Sequence, residues 1–198
     1  MNKLLYKSLS QIVNEQHQTA LVFENYNLDE LTDYIVCSYH SHIKKEMAQI
    51  LSYLEKVSSK HGIQHNELYK ISELFVDLSN EMTHHMRDEE TILFPRIKDM
   101  EKNGFVPVPY DIKYFQYLQL PIIDMGDDDE DAGNKMAEIR KLTNNYTPPA
   151  YSGSTFKLLH ASLQAFEIDL HHYVHFESSI LFPKALALAK ALKLNALN

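Results

Sequence analysis

The sequence of 198 residues contains no tryptophan, five glycines and a single cysteine, Cys37. One cysteine excludes both an intramolecular disulfide framework and a zinc site built from cysteine ligands. The N-terminal stretch lacks the apolar core of a signal peptide, and no apolar run approaches the roughly 18 residues of a membrane-spanning helix. These absences predict that the protein is cytoplasmic. In the cytoplasm a lone thiol stays reduced.

Charge and composition narrow the class further. The formal net charge is −8 at pH 7, which argues against nucleic acid and membranes as partners. Hydrophobic residues make up 44% of the chain, enough for a packed core rather than a disordered chain. Eleven histidines are present, and because histidine is the commonest metal ligand among side chains, their number suggests that a metal ion is bound.

Apolar residues recur at helical spacing along most of the chain. The pattern predicts four long helices, with Gly62 as a left-handed cap after the first and Ser154 as the N-cap of the fourth. Pro95 and Pro183 fall inside the second and fourth predicted helices, where a proline either kinks or breaks a helix. The four predicted helices span residues of about 29–60, 66–102, 121–145 and 154–191.

Four long helices separated by breaks predict an all-α fold, namely an antiparallel up-down four-helix bundle. We assign the bundle to residues 29–198. Residues 1–28 are too few to form a stable unit alone. We therefore expect them to form a short N-terminal helical segment that packs against the bundle.

An imperfect internal repeat suggests where a site lies. The stretches "HHMRDEETILFP" and "HHYVHFESSILFP" end alike, and aligning their endings gives an offset of 88 residues. Glu89 then corresponds to Glu177, and His85 corresponds to Tyr173. In each copy the two residues are four apart, so they share one helix face and can reach the same ion.

The repeat also locates candidates on the first and third helices. His40 lies 45 residues before His85, and counting back 44 residues from Tyr173 reaches Asp129. Each helix then contributes at one level of the bundle interior, where facing side chains build metal sites. Glu81, one turn before His85, is a candidate to orient that histidine. The candidate metal ligands are His40, His85, Glu89, Asp129, Tyr173 and Glu177.

Three stretches, "YHSHIKKEMAQILSYLEKV", "HHMRDEETILFPRI" and "HFESSILFPKAL", together resemble the hemerythrin-like domain of the repair-of-iron-centres family. The resemblance covers nearly the whole chain. It implies a left-handed four-helix bundle that holds a carboxylate-bridged pair of irons through four histidines and two glutamates. The residues that match these ligands are His40, His85, Glu89 and Glu177.

The sequence departs from the family at three points. Asp129 and Tyr173 stand where the third and fourth histidines are expected, and the two adjacent cysteines of the family's N-terminal domain are absent. If each half of the chain supplies the terminal ligands of one ion, one ion would have His40 and His85. The other would have only oxygen ligands, a set that suits Fe(III) or manganese.

The resemblance implies a non-haem iron protein, with one or two ions, that acts in iron–sulfur cluster repair or in the response to nitric oxide or oxygen. It would hold and donate iron or bind a diatomic ligand. Damaged iron–sulfur proteins are then expected partners, while a homodimer and enzymatic activity are left open.

Two other functions compete with this one. A metal-free or single-metal bundle that acts as a binding or regulatory module is favoured by the two replaced histidines. A ferritin-like di-iron oxidase needs two Glu-x-x-His pairs. Glu81-x-x-His84 is one such pair, but Glu167-x-x-Leu170 does not supply the second.

Overall fold

The computed structural model describes Phe23, residues 25–104 and residues 115–195. The predicted segment of residues 1–28 falls almost wholly outside them. Across the described residues the chain is helical without a β-strand, and none of their helices is long and apolar enough to cross a membrane. The α-helices are α1 (Leu28–Tyr34), α2 (Ser41–His61), α3 (Glu67–Asp88), α4 (Phe94–Asn103), α5 (Leu120–Leu142), α6 (Ser154–Phe176) and α7 (Phe182–Asn195).

Short π-helical segments join these α-helices into four long ones, which confirms the helices predicted from the sequence. The first long helix comprises α1 and α2, the second α3 and α4, and the fourth α6 and α7. The third, α5, is preceded by a π-helical turn, so helical structure begins earlier than the apolar spacing predicts. It also ends earlier, at Leu142. The π-helical segments are Ile35–His40, Glu89–Leu93, Phe115–Gln119 and Glu177–Leu181.

Two helix ends differ from the prediction. Gly62 has φ −60 and ψ −29, so it is not a left-handed cap. A Cβ there would lie 2.6 Å from the Tyr69 hydroxyl, and close packing explains the glycine instead. The left-handed glycine is Gly104, with φ 67 at the end of α4. Gly153 rather than Ser154 is the N-cap of α6, and it provides no side-chain hydrogen bond.

Neighbouring long helices run antiparallel. His42 near the start of α2 pairs with Asp169 near the end of α6, while the His61 ring at the end of α2 meets Phe156 at the start of α6. Contacts between α3 and α5, and between α5 and α6, follow the same opposite order. Each long helix packs on the next, and the fourth returns to the first. The predicted four-helix bundle is therefore confirmed.

The bundle core is apolar over most of its length, and its buried ionisable side chains are concentrated at one level, with His160 and Glu167 buried elsewhere along α6. Phe75 and Phe166 are fully buried with ring centroids 5.3 Å apart, and burying an aromatic ring of this kind stabilises a fold by about 1.5–3 kcal/mol. At the level of the π-helical segments, His40, Glu89 and Glu177 are buried instead. Buried ionisable groups destabilise a fold unless they find partners. This level of the bundle is therefore the candidate functional site.

Candidate metal centre

All six candidate ligands lie inside the bundle at this polar level. His40, Glu89, Tyr173 and Glu177 are completely buried, His85 is 2% exposed and Asp129 is 8% exposed. The four long helices therefore bring together side chains that are up to 137 residues apart in the chain, from His40 to Glu177. The structure places them as the repeat predicts, with the Tyr173 hydroxyl 2.9 Å from His85 Nε2 across the offset of 88 residues.

Three π-helical segments begin or end at a candidate ligand. His40 is the last residue of Ile35–His40, while Glu89 and Glu177 are the first residues of their segments. A π-helical turn adds one residue to a helix and is frequent at functional sites, because it re-aims a side chain without ending the helix. Glu89 and Glu177 occupy the same position in their π-helical segments. The two copies of the repeat are therefore similar in local backbone structure as well as in sequence.

The candidate ligands form two groups that share one residue. His40, Glu89 and Glu177 offer atoms that all lie within 4.8 Å of one another, and so do His85, Asp129 and Glu177. Each group has one imidazole and two carboxylates, which suits a hard or borderline divalent cation. The expectation placed His40 and His85 on one ion, whereas each of these groups contains one histidine. Glu89 Oε2 lies 3.2 Å from His40 Nε2 and 3.5 Å from His85 Nε2, so the assignment of the histidines to separate ions stays a prediction.

In the first group, Glu90 fixes the orientation of His40. Glu90 Oε1 lies 2.7 Å from His40 Nδ1 and accepts a hydrogen bond from Lys44 Nζ at 2.8 Å. With Nδ1 hydrogen-bonded to Glu90, His40 presents Nε2 to the interior, 3.2 Å from Glu89 Oε2. A carboxylate behind a metal-binding histidine fixes its tautomer and raises its basicity. Glu90 is not among the residues predicted from the sequence, although its position next to Glu89 was a signal for it.

Replacing Glu90 with alanine is expected to lower the affinity for Fe(II) about 10- to 100-fold, the usual effect of removing such a carboxylate. Lys44→Ala is the control, because it removes the other partner of Glu90 and leaves His40 with its acceptor. Anaerobic titration monitored by competition with a chelator measures both affinities. An Fe(II) affinity of Glu90→Ala equal to that of Lys44→Ala would show that Glu90 has no such role.

In the second group, Tyr173 connects His85 to Glu89. The Tyr173 hydroxyl donates to Glu89 Oε2 at 2.6 Å. Because its one proton is used there, the hydroxyl oxygen accepts the bond from His85 Nε2 at 2.9 Å. His85 Nε2 also lies 3.6 Å from Asp129 Oδ1. A cation bound by His85 would have to displace the Nε2 proton, so Tyr173 competes with the cation for this ligand.

Glu81 does not orient His85. Its carboxylate is half exposed and pairs with Lys135 Nζ at 2.7 Å. The carboxylate next to His85 Nδ1 is that of Asp128, at 3.5 Å. Asp128 rather than Glu81 lies next to His85 because Asp128, beside Asp129 on α5, faces α3. His84 is exposed as well, so the Glu81-x-x-His84 pair of the ferritin-like alternative does not point into the bundle.

Burial separates the charges of the carboxyl groups. Burial and the neighbouring Glu89 raise the pKa of Glu177 well above its ordinary value. Burial likewise raises the pKa of Asp129 to about 7, against the opposing effect of His85. For Glu89 the raising effect of burial is outweighed by His40 and His85, and its pKa is lowered. Without a cation, Glu89 is therefore ionised and Glu177 retains its proton, while Asp129 loses its proton around neutral pH. A bound cation would displace the protons that remain.

Buried polar atoms without a hydrogen-bond partner indicate whether this centre fits a cation. In the described part of the chain, the buried side-chain polar atoms without a hydrogen-bond partner belong to the candidate ligands, with His160 Nδ1 as the exception. They include both oxygens of Glu177 and Nε2 of His40. Each such atom costs about 1–3 kcal/mol if it stays unpaired. Imidazole nitrogens and carboxylate oxygens that converge in this way are the donors that a transition-metal cation takes.

A buried set of imidazoles and carboxylates, drawn from all four long helices of an antiparallel bundle, defines a cation-binding domain of the hemerythrin type. Residues 32–185 match the family model for the hemerythrin HHE cation binding domain, and the chain belongs to this family. The predicted family is thereby confirmed, and with it a metal-binding fold.

Several relatives carry the name of an iron–sulfur cluster repair protein. The chain is 29% identical over 184 residues to ScdA of Staphylococcus epidermidis, with 93% of this chain and 78% of that protein covered. It is 29% identical over 157 residues to a probable repair protein of Haemophilus influenzae, covering 79% of this chain and 65% of the relative. It is 28% identical over 160 residues to YtfE of Musicola paradisiaca, covering 80% and 66%.

Proposed function

We propose that the chain binds two iron ions in this centre and takes part in iron–sulfur cluster repair in the cytoplasm by holding and donating iron. Glu177, which is common to both groups of candidate ligands, supports a two-ion centre most directly. Its two buried oxygens have no protein partner, and a carboxylate with two free oxygens can face two ions at once. Iron is supported by the relatives, which are named iron–sulfur cluster repair proteins.

The residues of the centre have separate roles in this function. His40 and Glu89 hold the first ion, and Glu90 keeps the His40 nitrogen in position. His85 and Asp129 would hold the second ion, and Glu177, which belongs to both groups, would serve either ion. Bound iron would supply a coordination position for a diatomic ligand such as nitric oxide or oxygen. The chain itself supplies the dry interior and the carboxylates that neutralise the cations.

The two groups hold their ions unequally. His40 is fixed by a carboxylate that Lys44 also contacts, whereas His85 shares its Nε2 with the Tyr173 hydroxyl. Asp129 is the candidate ligand nearest to solvent. We therefore assign iron donation to the second group, with damaged iron–sulfur proteins as recipients, and longer retention to the first.

Metal analysis of His85→Ala beside the wild-type protein tests this assignment. We expect two irons per chain in the wild type and one in the variant, because the variant keeps His40, Glu89 and Glu177. His84→Ala is the matched control, since it removes the adjacent, exposed histidine. Plasma emission spectrometry after anaerobic loading gives the content. Equal iron in His85→Ala and the wild type would mean that the second group is not a metal site.

A metal-free or single-metal binding module is the second candidate function, and the Tyr173 hydroxyl favours it. This hydroxyl already pairs with His85 and Glu89, so part of the centre is satisfied by protein groups alone. Wild-type protein purified without iron from iron-rich medium, and unable to take up iron afterwards, would establish the metal-free module instead.

A further inference from the structure

A groove between α5 and α6 reaches the candidate metal centre from the surface. It has a volume of about 670 Å³. Asp129 is the one candidate ligand among the residues that line it, and Gly133 lies one turn further along α5. On the α6 side the lining includes Glu167, His171 and His175. The groove therefore connects the residue of the centre nearest to solvent with a histidine-bearing face of α6.

The side chains of this groove are those that bind cations. Glu167, His171 and His175 are spaced four residues apart, so they lie on one face of α6. His171 is exposed and His175 is half-buried, so both imidazoles are open to solvent. Two imidazoles on successive turns can hold one divalent cation. Arg140, the basic residue in the lining, is 3.6 Å from Glu167 and thus neutralised in part.

The α5 side adds negative charge around Asp129. Asp127, Asp128, Glu130 and Asp131 are all exposed and flank it in sequence. These four acids are not among the residues that line the groove, and Asp131 also pairs with Lys135. Exposed carboxylates next to Asp129 nevertheless attract cations to that end of the groove. A neutral diatomic molecule gains nothing from these carboxylates, whereas a divalent cation does.

We propose that the α5–α6 groove is the path by which a divalent metal cation enters and leaves the buried centre, with His171 and His175 binding it first and Asp129 receiving it. This inference rests on the proposed function, because it presupposes that the centre is loaded with metal. It identifies Asp129, which stands where the family has a histidine, as the ligand through which exchange with solvent occurs.

Gly133 keeps the groove open. A glycine inside a helix destabilises it relative to alanine. Neither a positive φ nor a close neighbour explains this glycine, since a Cβ at position 133 would meet nothing within 4 Å. Its position among the lining residues supplies a reason, namely that a larger side chain would fill the groove. For the same reason, a larger side chain fits there without a clash.

The test compares Gly133→Phe with Gly126→Phe. Gly126 is also on α5 with nothing within 4 Å of its Cβ, but it does not line the groove. Anaerobic stopped-flow mixing with Fe(II) measures uptake, and a ferrous chelator measures release. We expect Gly133→Phe to slow both at least tenfold with an unchanged final iron content, and Gly126→Phe to match the wild type.

A second variant does not depend on filling the groove. His171→Ala/His175→Ala is expected to slow Fe(II) uptake at limiting metal several-fold and to leave the final iron content unchanged. His42→Ala is its control, because His42 is an exposed histidine outside the groove. Wild-type rates in both Gly133→Phe and the double variant would overturn the path while leaving the metal centre intact. A wild-type protein that takes up no Fe(II) would overturn the proposed function and the path together.

Discussion

Glu177→Gln is expected to remove nearly all bound iron, from two ions per chain to less than about 0.2, because two groups lose a ligand at once. Glu177 is the residue that both groups share. The amide of glutamine has one oxygen and no negative charge, so it cannot serve two cations. The effect should exceed that of His85→Ala, which leaves one group complete.

The fold should survive this substitution. The raised pKa of Glu177, caused by burial and by Glu89, means that its side chain is neutral in the metal-free protein. Glutamine has nearly the same shape and is neutral too, so the metal-free variant and the metal-free wild type should unfold within a few degrees of each other. Circular dichroism checks this point before any metal is added.

Glu167→Gln provides the matched control. Glu167 is also a buried glutamate of the fourth long helix, and its Oε2 accepts from the Tyr146 hydroxyl at 2.9 Å, a bond that a glutamine oxygen can keep. It belongs to neither group of candidate ligands. We expect wild-type iron content in Glu167→Gln. Iron retention in Glu177→Gln above one ion per chain would show that the two groups do not share this residue.

The helices and the level of the site were predictable from the sequence for a physical reason. The spacing of apolar residues indicates which helix face is buried, and turn residues indicate where helices end. The repeat relates His85 to Tyr173 and Glu89 to Glu177 independently of the detailed packing. All four of these residues meet in the core. The local sequence was enough to predict these pairs, because two residues four apart on one helix share a face whatever the tertiary packing.

The partition of the ligands was not predictable in that way. Which histidine faces which carboxylate depends on the rotation of each helix, and the π-helical segments change that rotation by inserting one residue. Pro95 and Pro183 follow two of these segments and are an indirect sign of them. A proline cannot donate to the helical ladder, so the turn before it is free to change its bonding. Glu90 and Asp128 were missed because their contacts cross between helices.

Tyr173→Phe is expected to destabilise the metal-free protein by about 1–3 kcal/mol, because it leaves a buried carboxylate without its donor. Tyr173 donates to Glu89, whose lowered pKa keeps that carboxyl ionised despite its burial, through His40 and His85. For a chain of this length the loss corresponds to roughly 2–4 °C in Tm for each kcal/mol.

The same substitution should matter much less once iron is bound. A cation near Glu89 replaces the lost hydroxyl as the partner of its charge, and the competition between Tyr173 and the cation for His85 disappears. Tyr39→Phe is the control, because the Tyr39 ring packs 5.9 Å from the Tyr173 ring without a hydrogen bond to the described carboxylates. Thermal unfolding with and without Fe(II) measures the difference. An equal decrease in Tm with and without Fe(II) would mean that Tyr173 stabilises the protein through packing alone. Its hydroxyl would then not substitute for a metal ion as the partner of Glu89.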